Sequence, residues 1–173
     1  MATSLDDAVL FATKAHFGQR WHGTNLPYVA HCVDVAMIVR NSAKHHDNVL
    51  VAAVLHDTLE KTRTTPQEIA MLFGKDVLRI VLTLTNLDGN KDTPRSDLAR
   101  KRLADAPADV QTIKLADLIS TTPRILEGER KAAQVYLQDK AALLRILGRG
   151  NSTLLNQASE LLQVGKSRFG IAA

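Results

Sequence analysis

The chain has 173 residues, of which 45% are hydrophobic and 23% charged, values typical of one globular domain that buries its own core. Aromatic residues make up only 4%, so the core must consist mainly of aliphatic side chains, a composition that favours helices over a β-sandwich. The net charge is +4, and no basic stripe interleaved with aromatic residues marks a surface for a nucleic-acid polymer.

The sequence carries no pattern typical of export or membrane insertion. Acidic residues and a serine typical of helix caps stand near the first residue, where a signal peptide is basic, and no apolar run approaches the roughly 20 residues of a membrane span. Cys32 is the only cysteine, which excludes an internal disulfide, and its apolar neighbours predict a buried thiol. We therefore expect a single cytoplasmic domain over residues 1–173, with a core from about 5 to 164 and a frayed C-terminal tail.

Caps, breakers and hydrophobic spacing divide the chain into about eight or nine helices. Ser4 and Asp7 resemble a capping box that opens a helix over about 4–16, and the segment 17–27, with its glycines and proline, predicts a loop. Pro123 is expected to end or kink a later helix. The remaining helices are predicted at about 28–43, 47–60, 65–74, 76–87, 94–104, 107–121, 130–147 and 152–164, with a polar turn at 88–93.

The predicted fold class is all-α, a helical bundle. One segment leaves an alternative, because valine, isoleucine and threonine are common in 76–87 and would also suit a strand. Its length and apolar spacing favour a helix.

The most informative feature is the pair His56-Asp57, which lies within the most apolar predicted helix. An ionised carboxylate is costly to bury unless it is paired with a cation or binds a metal. Taken alone the pair is weak evidence, since two such residues also occur facing solvent at the end of an amphipathic helix.

Two further residues strengthen the metal interpretation. His31 lies early on the preceding predicted helix among valines and alanines, and Asp117 stands in the apolar run TIKLADLIST. Each alone is more often a core histidine or a salt-bridging acid. Three separate helices nevertheless each place a histidine or carboxylate on a hydrophobic face, and one shared metal ion accounts for all of them.

Two histidines and two carboxylates form a mixed nitrogen and oxygen site that suits manganese, ferrous iron or zinc better than calcium. A metal with open coordination positions lowers the pKa of bound water and polarises a phosphoryl oxygen, so hydrolysis of a phosphate ester or anhydride is the expected chemistry. Glu60 lies one helical turn after His56. It could exchange a proton with the attacking water or the leaving oxygen, or it could be an ordinary exposed glutamate.

Five motifs follow one another along about residues 5–147: FATKAHFGQ, PYVAH, VLHDTLE, LFGKDV with LTLT, and IKLADL. Their order resembles that in the hydrolase domain of the RelA/SpoT family, and the chain most closely resembles the stand-alone small alarmone hydrolases of the HD superfamily. This resemblance implies an all-α HD fold and a manganese ion held by His31, His56, Asp57 and Asp117. It also implies removal of the 3′-pyrophosphate from a stringent-response alarmone such as ppGpp or ppApp.

The chain departs from this family at several positions. The family commonly has two acids where this chain has Glu60 and Lys61, which the resemblance places at the catalytic centre. A lysine cannot act as a base at neutral pH unless its pKa is strongly depressed. Lys61 could instead bind a substrate phosphate, or it could be an exposed surface lysine.

The expected substrate contacts are also altered. Arg20, Trp21 and His22 stand where relatives often carry an Arg-Lys pair, and Trp21 could stack on a purine or pack the loop onto the bundle. Thr121 replaces a family asparagine and reaches less far. The resemblance places two further residues at the substrate, Arg124 and Tyr136.

Three functions follow as hypotheses. The first is a manganese-dependent 3′-pyrophosphohydrolase acting on a guanosine or adenosine alarmone. The second is a phosphatase acting on another nucleotide, such as NADPH, and the third is a catalytically weak sensor that binds a nucleotide. The retained metal ligands and the altered substrate contacts predict a metal centre with changed specificity or reduced catalysis. The sequence does not indicate the oligomeric state.

Overall fold

The computed structural model describes residues 4–86 and 97–171, and every regular element in these residues is a helix, which confirms the predicted all-α class. The predicted polar turn at 88–93 lies outside the described residues. The helices are α1 Leu5–Ala15, α2 Val29–Ser42, α3 Asp47–Leu55, α4 Thr58–Lys61, α5 Pro66–Leu84, α6 Asp97–Ala104, α7 Ala108–Leu126, α8 Arg130–Leu144 and α9 Ser152–Phe169.

Local sequence signals account for the starts of α1 and α5. The Ser4 hydroxyl accepts a hydrogen bond from the backbone amide of Asp7 at 3.1 Å. Thr65 and Glu68 form a reciprocal capping box before α5. The predicted break near Gly74 is also present, because this glycine has φ 87° inside α5 and divides it into two helical halves.

The predicted helix over 47–60 is not continuous. It breaks at His56 and Asp57, between α3 and α4. Side chains satisfy the carbonyls at the end of α3, since the Thr58 hydroxyl donates to the Leu55 carbonyl and His56 Nδ1 lies 2.7 Å from the Ala53 carbonyl. The sequence did not reveal this break because the segment contains no glycine or proline.

Two other helices are longer than predicted. The helix α7 runs through Pro123 to Leu126 instead of ending near residue 121, and the Thr122 hydroxyl donates to the Leu118 carbonyl beside the proline. The helix α9 continues to Phe169, beyond its predicted end at about residue 164. The Phe169 side chain is buried, and Gly170 caps the helix in the left-handed conformation with φ 66°.

The helix α7 packs against α2 and α9, while α3 packs against α1, α2 and α5. Aliphatic residues of these helices form the main core, and a smaller cluster joins the end of α7 to α8 and α9. This packing brings the start of α2, the break after α3 and the middle of α7 to one place. None of the described helices combines the length and apolarity needed to cross a bilayer.

Candidate metal centre and pocket

Four predicted ligands meet where α2, the α3–α4 break and α7 converge. His31 Nε2 lies 3.4 Å from Asp117 Oδ1 and 3.7 Å from Asp57 Oδ2. His56 Nε2 lies 3.2 Å from Asp57 Oδ2 and 3.9 Å from Asp117 Oδ1. Adjacent residues of a continuous helix point about 100° apart. The break after α3 therefore explains how His56 and Asp57 face the same point.

The donor set suits a divalent cation. Ligand atoms of His31, His56 and Asp117 all lie within 4.8 Å of one another, and both histidines are buried. The Nε2 atom of His56 is buried and makes no hydrogen bond with any described residue. A buried imidazole nitrogen facing two carboxylates is expected to bind a cation or a proton rather than remain without a partner.

Asp57 has two neighbours besides the histidines. Tyr28 donates a hydrogen bond to Asp57 Oδ2 at 2.5 Å, and Lys61 Nζ lies 2.8 Å from the same oxygen. Lys61 also contacts the Tyr28 hydroxyl. Lys61 is thus a partly buried partner of a predicted ligand and not an exposed surface lysine.

The charges of the site shift the pKa values of its members. Burial raises the pKa of the Asp57 and Asp117 carboxyls, but nearby histidines and lysines outweigh burial and hold both pKa values well below the usual range. Burial lowers the pKa of His56, but the carboxylates of Asp57 and Asp117 raise it overall. For Lys61, the attraction of Asp57 outweighs burial and raises the pKa, so it stays charged at neutral pH and cannot act as a base.

Asp117 contacts residues one turn before it and one turn after it on α7. Lys114 Nζ lies 2.5 Å from Asp117 Oδ2, and the Thr121 hydroxyl donates to Asp117 Oδ1 at 3.2 Å. Thr121, predicted as a substrate contact, therefore hydrogen-bonds a predicted metal ligand in this structure.

A cavity of about 470 Å³ opens onto the four ligands. Its lining includes seven of the other eight residues predicted for catalysis or substrate binding. These are Trp21, His22, Glu60, Lys61, Thr121, Arg124 and Tyr136. Arg20 does not line the cavity, because its guanidinium donates to the Asn25 carbonyl within the loop.

The loop before α2 packs its tryptophan against the site. The Trp21 ring lies 5.6 Å from the His31 ring, and the Arg124 guanidinium lies over its face at 5.2 Å. Trp21 is only 9% exposed. It therefore packs the loop onto the bundle and also forms one wall of the cavity.

Glu60 and Tyr136 each have a fixed partner. Glu60 Oε2 accepts a hydrogen bond from the Asn86 backbone amide at 2.8 Å, which holds the carboxylate at the cavity wall. The Tyr136 hydroxyl lies 3.0 Å from the Thr122 hydroxyl. Burial raises the pKa of this phenol, so it remains protonated at neutral pH.

Sequence reasoning missed five polar residues that line the cavity and two that lie behind it. The five are Tyr28, Asn86, Lys114, Asp139 and Lys140. Tyr28 and Lys114 lie within the motifs PYVAH and IKLADL, so the motifs contained the signal. Asp34 and Ser120 contact each other behind His31 and belong to none of the family motifs. Cys32, by contrast, is fully buried as predicted, and burial raises the pKa of its thiol.

An all-helical bundle that gathers an adjacent His-Asp pair, a second histidine and a second aspartate at one cavity defines the class of HD-domain proteins. The model of the HD domain family HD_4 matches residues 8–141. The chain belongs to this family.

The relatives confirm the resemblance to the RelA/SpoT-type hydrolases. The guanosine-3′,5′-bis(diphosphate) 3′-pyrophosphohydrolase MESH1 of Danio rerio is 36% identical over 118 residues, which cover 64% of this chain and 63% of that protein. The enzyme of the same name from Homo sapiens is 37% identical, over 67% of this chain and 66% of its own length. The bifunctional (p)ppGpp synthase/hydrolase SpoT of Escherichia coli is 35% identical, over 65% of this chain and 17% of its own length. The chain thus spans less than two thirds of the length of these relatives.

Two solved structures share the fold. A metazoan orthologue of SpoT, described as hydrolysing ppGpp and acting in starvation responses, superposes with a TM-score of 0.83 at 24% identity, over 95% of this chain and 96% of that one. A Listeria monocytogenes protein superposes with a TM-score of 0.68 at 17% identity, over 82% of this chain and 99% of that one.

Proposed function

We propose that this protein is a manganese-dependent hydrolase that removes the 3′-pyrophosphate of a guanosine or adenosine alarmone, (p)ppGpp or (p)ppApp. The observation that carries the proposal is the convergence of two histidines and two aspartates at the base of a cavity of about 470 Å³. The names of the relatives support the substrate class.

His31, His56, Asp57 and Asp117 would hold the cation. Their two nitrogen and two oxygen donors suit Mn²⁺, with Fe²⁺ and Zn²⁺ as alternatives. When bound, the cation would polarise a phosphoryl oxygen and lower the pKa of a coordinated water.

The charge of the cavity favours a phosphorylated ligand. The cavity is lined by four basic and four acidic side chains, whose charges cancel. A bound divalent cation would therefore give the cavity a net charge of about +2. The basic side chains are Lys61, Lys114, Arg124 and Lys140. A diphosphate group with several negative charges complements this surface.

Glu60 is our candidate for proton transfer. Its carboxylate lines the cavity one helical turn beyond His56 and is oriented by the Asn86 amide. It can accept a proton from the attacking water or return one to the leaving oxygen. Lys61, the other predicted catalytic residue, is charged and borders the same cavity, so we assign it to binding a substrate phosphate.

The nucleoside would lie toward the loop before α2. Trp21, His22 and Arg124 form this end of the site, where Arg124 lies over the Trp21 ring. Arg124 can reach a phosphate or the edge of a base, and His22 adds a polar group at the mouth. Thr121 and Tyr136 border the same cavity, and their hydroxyl oxygens can accept hydrogen bonds from the sugar.

One observation favours a second function, a catalytically weak nucleotide sensor. The Lys61 ammonium pairs with Asp57 Oδ2, the carboxylate oxygen nearest to the histidines. The family commonly has an acid at the position of Lys61. A positive charge at this position opposes cation binding. A phosphatase that acts on another nucleotide, such as NADPH, keeps the same centre and differs in the product released.

Incubation with Mn²⁺ and ppGpp, ppApp, NADPH or simple nucleotides distinguishes these functions. We expect pyrophosphate from ppGpp or ppApp. Orthophosphate alone would support the phosphatase, and tight binding without turnover would support the sensor.

Two substitutions test the assigned roles. Asp57→Ala should abolish Mn²⁺ binding, and Glu60→Gln should keep the metal and lose about 100-fold or more in turnover. Glu160→Gln, at an exposed position of α9, is the matched control and should leave turnover unchanged. Full metal content and activity in Asp57→Ala would show that the ligand assignment is wrong.

A further inference from the structure

A chain of two hydrogen bonds links His31 to a carboxylate outside the cavity. His31 Nδ1 lies 3.0 Å from Ser120 Oγ, and the Ser120 hydroxyl donates to Asp34 Oδ2 at 2.6 Å. His31 is 2% exposed and Ser120 6%, and neither Ser120 nor Asp34 lines the cavity. Asp34 lies on α2, three residues after His31, and Ser120 lies on α7, three residues after Asp117.

The protons in this chain can be assigned from its chemistry. A serine hydroxyl has a single proton, and here that proton is donated to Asp34. Ser120 Oγ must therefore accept from His31, so Nδ1 of His31 carries a proton. The remaining nitrogen, Nε2, is the atom that faces Asp57 and Asp117. The arrangement leaves Nε2 as the atom available to a cation.

We propose that Asp34 and Ser120 are positioning residues for the metal centre. The Asp34 carboxylate orients the Ser120 hydroxyl, which fixes the His31 ring with Nε2 facing Asp57 and Asp117, where a cation would bind. The proposal rests on the metal site of the proposed function but not on its substrate. Hydrogen bonds behind a metal-binding histidine also increase the basicity of the ligand and contribute to metal affinity.

The other histidine is oriented differently, which makes the role of Ser120 specific. His56 Nδ1 lies 2.7 Å from the backbone carbonyl of Ala53, an acceptor that no side-chain substitution removes. Of the two predicted histidine ligands, only His31 has a side chain as the hydrogen-bond partner of its Nδ1. The same two hydrogen bonds also join α2 to α7, the helices that supply His31 and Asp117.

The test measures Mn²⁺ affinity by the electron paramagnetic resonance signal of the free ion during titration. We expect Ser120→Ala and Asp34→Ala each to weaken binding about 10-fold or more. Because Asp34 acts through Ser120, Asp34→Ala should add little in the Ser120→Ala background. Asp34→Glu, at a partly exposed position, retains the carboxylate and should restore most of the affinity.

Asp109→Ala is the matched control. Asp109 pairs with His45 Nδ1 at 2.9 Å, and neither residue lines the cavity. This variant removes a carboxylate from a histidine that is not a predicted ligand, and it should leave Mn²⁺ affinity unchanged.

A spectroscopic measurement on the unsubstituted protein does not depend on whether any variant folds. In the Zn²⁺-loaded, ¹⁵N-labelled protein, we expect His31 to coordinate through Nε2 and to keep a proton on Nδ1. Coordination through Nδ1 would overturn the proposal, as would unchanged Mn²⁺ affinity in both folded alanine variants. If the protein bound no divalent cation, the metal centre and this role would both be wrong. If it bound Mn²⁺ with the expected losses but hydrolysed no substrate, only the proposed function would fail.

Discussion

Lys61 places an ammonium group against Asp57, and its replacement should change two properties in opposite directions. Lys61→Met keeps a similar length but removes the charge. Without metal, the free energy of unfolding should fall by about 1–3 kcal/mol, because the buried Asp57 carboxylate loses a partner. Mn²⁺ affinity should rise about 10-fold, because a nearby positive charge no longer repels the cation. Urea unfolding with chelator and Mn²⁺ titration measure the two effects.

Lys131→Met is a suitable control, since Lys131 is exposed on α8. Neither property should change in this variant. Weaker Mn²⁺ binding in Lys61→Met would instead show that Lys61 supports the orientation of Asp57 for metal binding.

Asp139 lies in the cavity wall, and its ion pairs should make a pH-dependent contribution to the free energy of unfolding. It pairs with Arg100 at 2.7 Å and with Lys140 at 2.6 Å. Burial raises its pKa, but these two cations outweigh burial and lower the pKa overall. Its stabilising effect is therefore present above the unfolded pKa of about 3.9 and is lost as the pH falls through the folded value.

We expect Asp139→Asn to lower the free energy of unfolding by about 1–3 kcal/mol at pH 7. The difference from the unsubstituted protein should be smaller at pH 3, below the unfolded pKa of about 3.9, because the unfolded chain then gains a proton and the native carboxylate contributes less stability. Urea unfolding at both pH values measures this. Asp76→Asn, which alters an exposed pair with Arg79, should have little effect at either pH. A constant difference across this range would contradict an electrostatic origin.

At the residue scale, the predictability of the site depended on whether a residue belonged to a recognisable pattern. His31 and Asp117 were identified because a histidine or acid in an apolar helix needs a partner. Asp34, an acid in the apolar run of α2, carries the same signal. Ser120 had no such signal, since a serine in a helix is ordinary and its role comes from a neighbour 86 residues away in the chain.

At the scale of elements, local chemistry predicted the break at Gly74 but not the one at His56 and Asp57, and Pro123 lies inside α7 instead of ending it. Gly74 divides α5 as expected, because only glycine adopts its φ of 87° without strain. The break at His56 is different, since its residues tolerate a helix. Hydrogen bonds from His56 and Thr58 to carbonyls of α3 stabilise it, and such contacts are not encoded in hydrophobic spacing.

In the turn before α9, Gly150 packs so closely against α7 that a larger side chain would not fit. A Cβ added at Gly150 would lie 2.6 Å from Leu115 Cδ1 and 3.3 Å from the backbone of Gln111 and Thr112. Gly150→Ala should therefore lower the free energy of unfolding by about 1–3 kcal/mol through overpacking. At Gly148 no atom lies within 4 Å of such a Cβ, so Gly148→Ala is the matched control and should be nearly neutral. Chemical denaturation distinguishes the two variants, and equal stabilities would contradict this close approach.

At the scale of the whole molecule, the order of the motifs predicted which residues meet at the site, whereas composition did not. Composition and spacing indicated a helical bundle, but they could not say which helices touch. The resemblance to RelA/SpoT-type hydrolases implied that residues as far apart in the chain as His31 and Asp117 bind one ion. The packing of α2, α3 and α7 brings these side chains together. Hydrophobic patterning records which face of a helix is buried and does not record which helix buries it.

The same convergence predicts that metal binding stabilises the entire fold. The ligands come from α2, the α3–α4 break and α7, so a cation that binds them favours the state in which these elements are packed together. The unfolded chain holds the ligands far apart and binds the ion weakly. At a free Mn²⁺ concentration about 100 times the dissociation constant, linkage gives about 2.7 kcal/mol of stabilisation.

For a chain of this length, that free energy corresponds to a rise in Tm of about 5–11 °C. Thermal unfolding with chelator and with excess Mn²⁺ measures the shift. Asp117→Asn should abolish the shift, because an amide is a much poorer ligand than a carboxylate, whereas Asp109→Asn should retain it. An equal shift in the Asp117→Asn variant would mean that the ion stabilises the protein from another site, because loss of one of four ligands must weaken binding at this one.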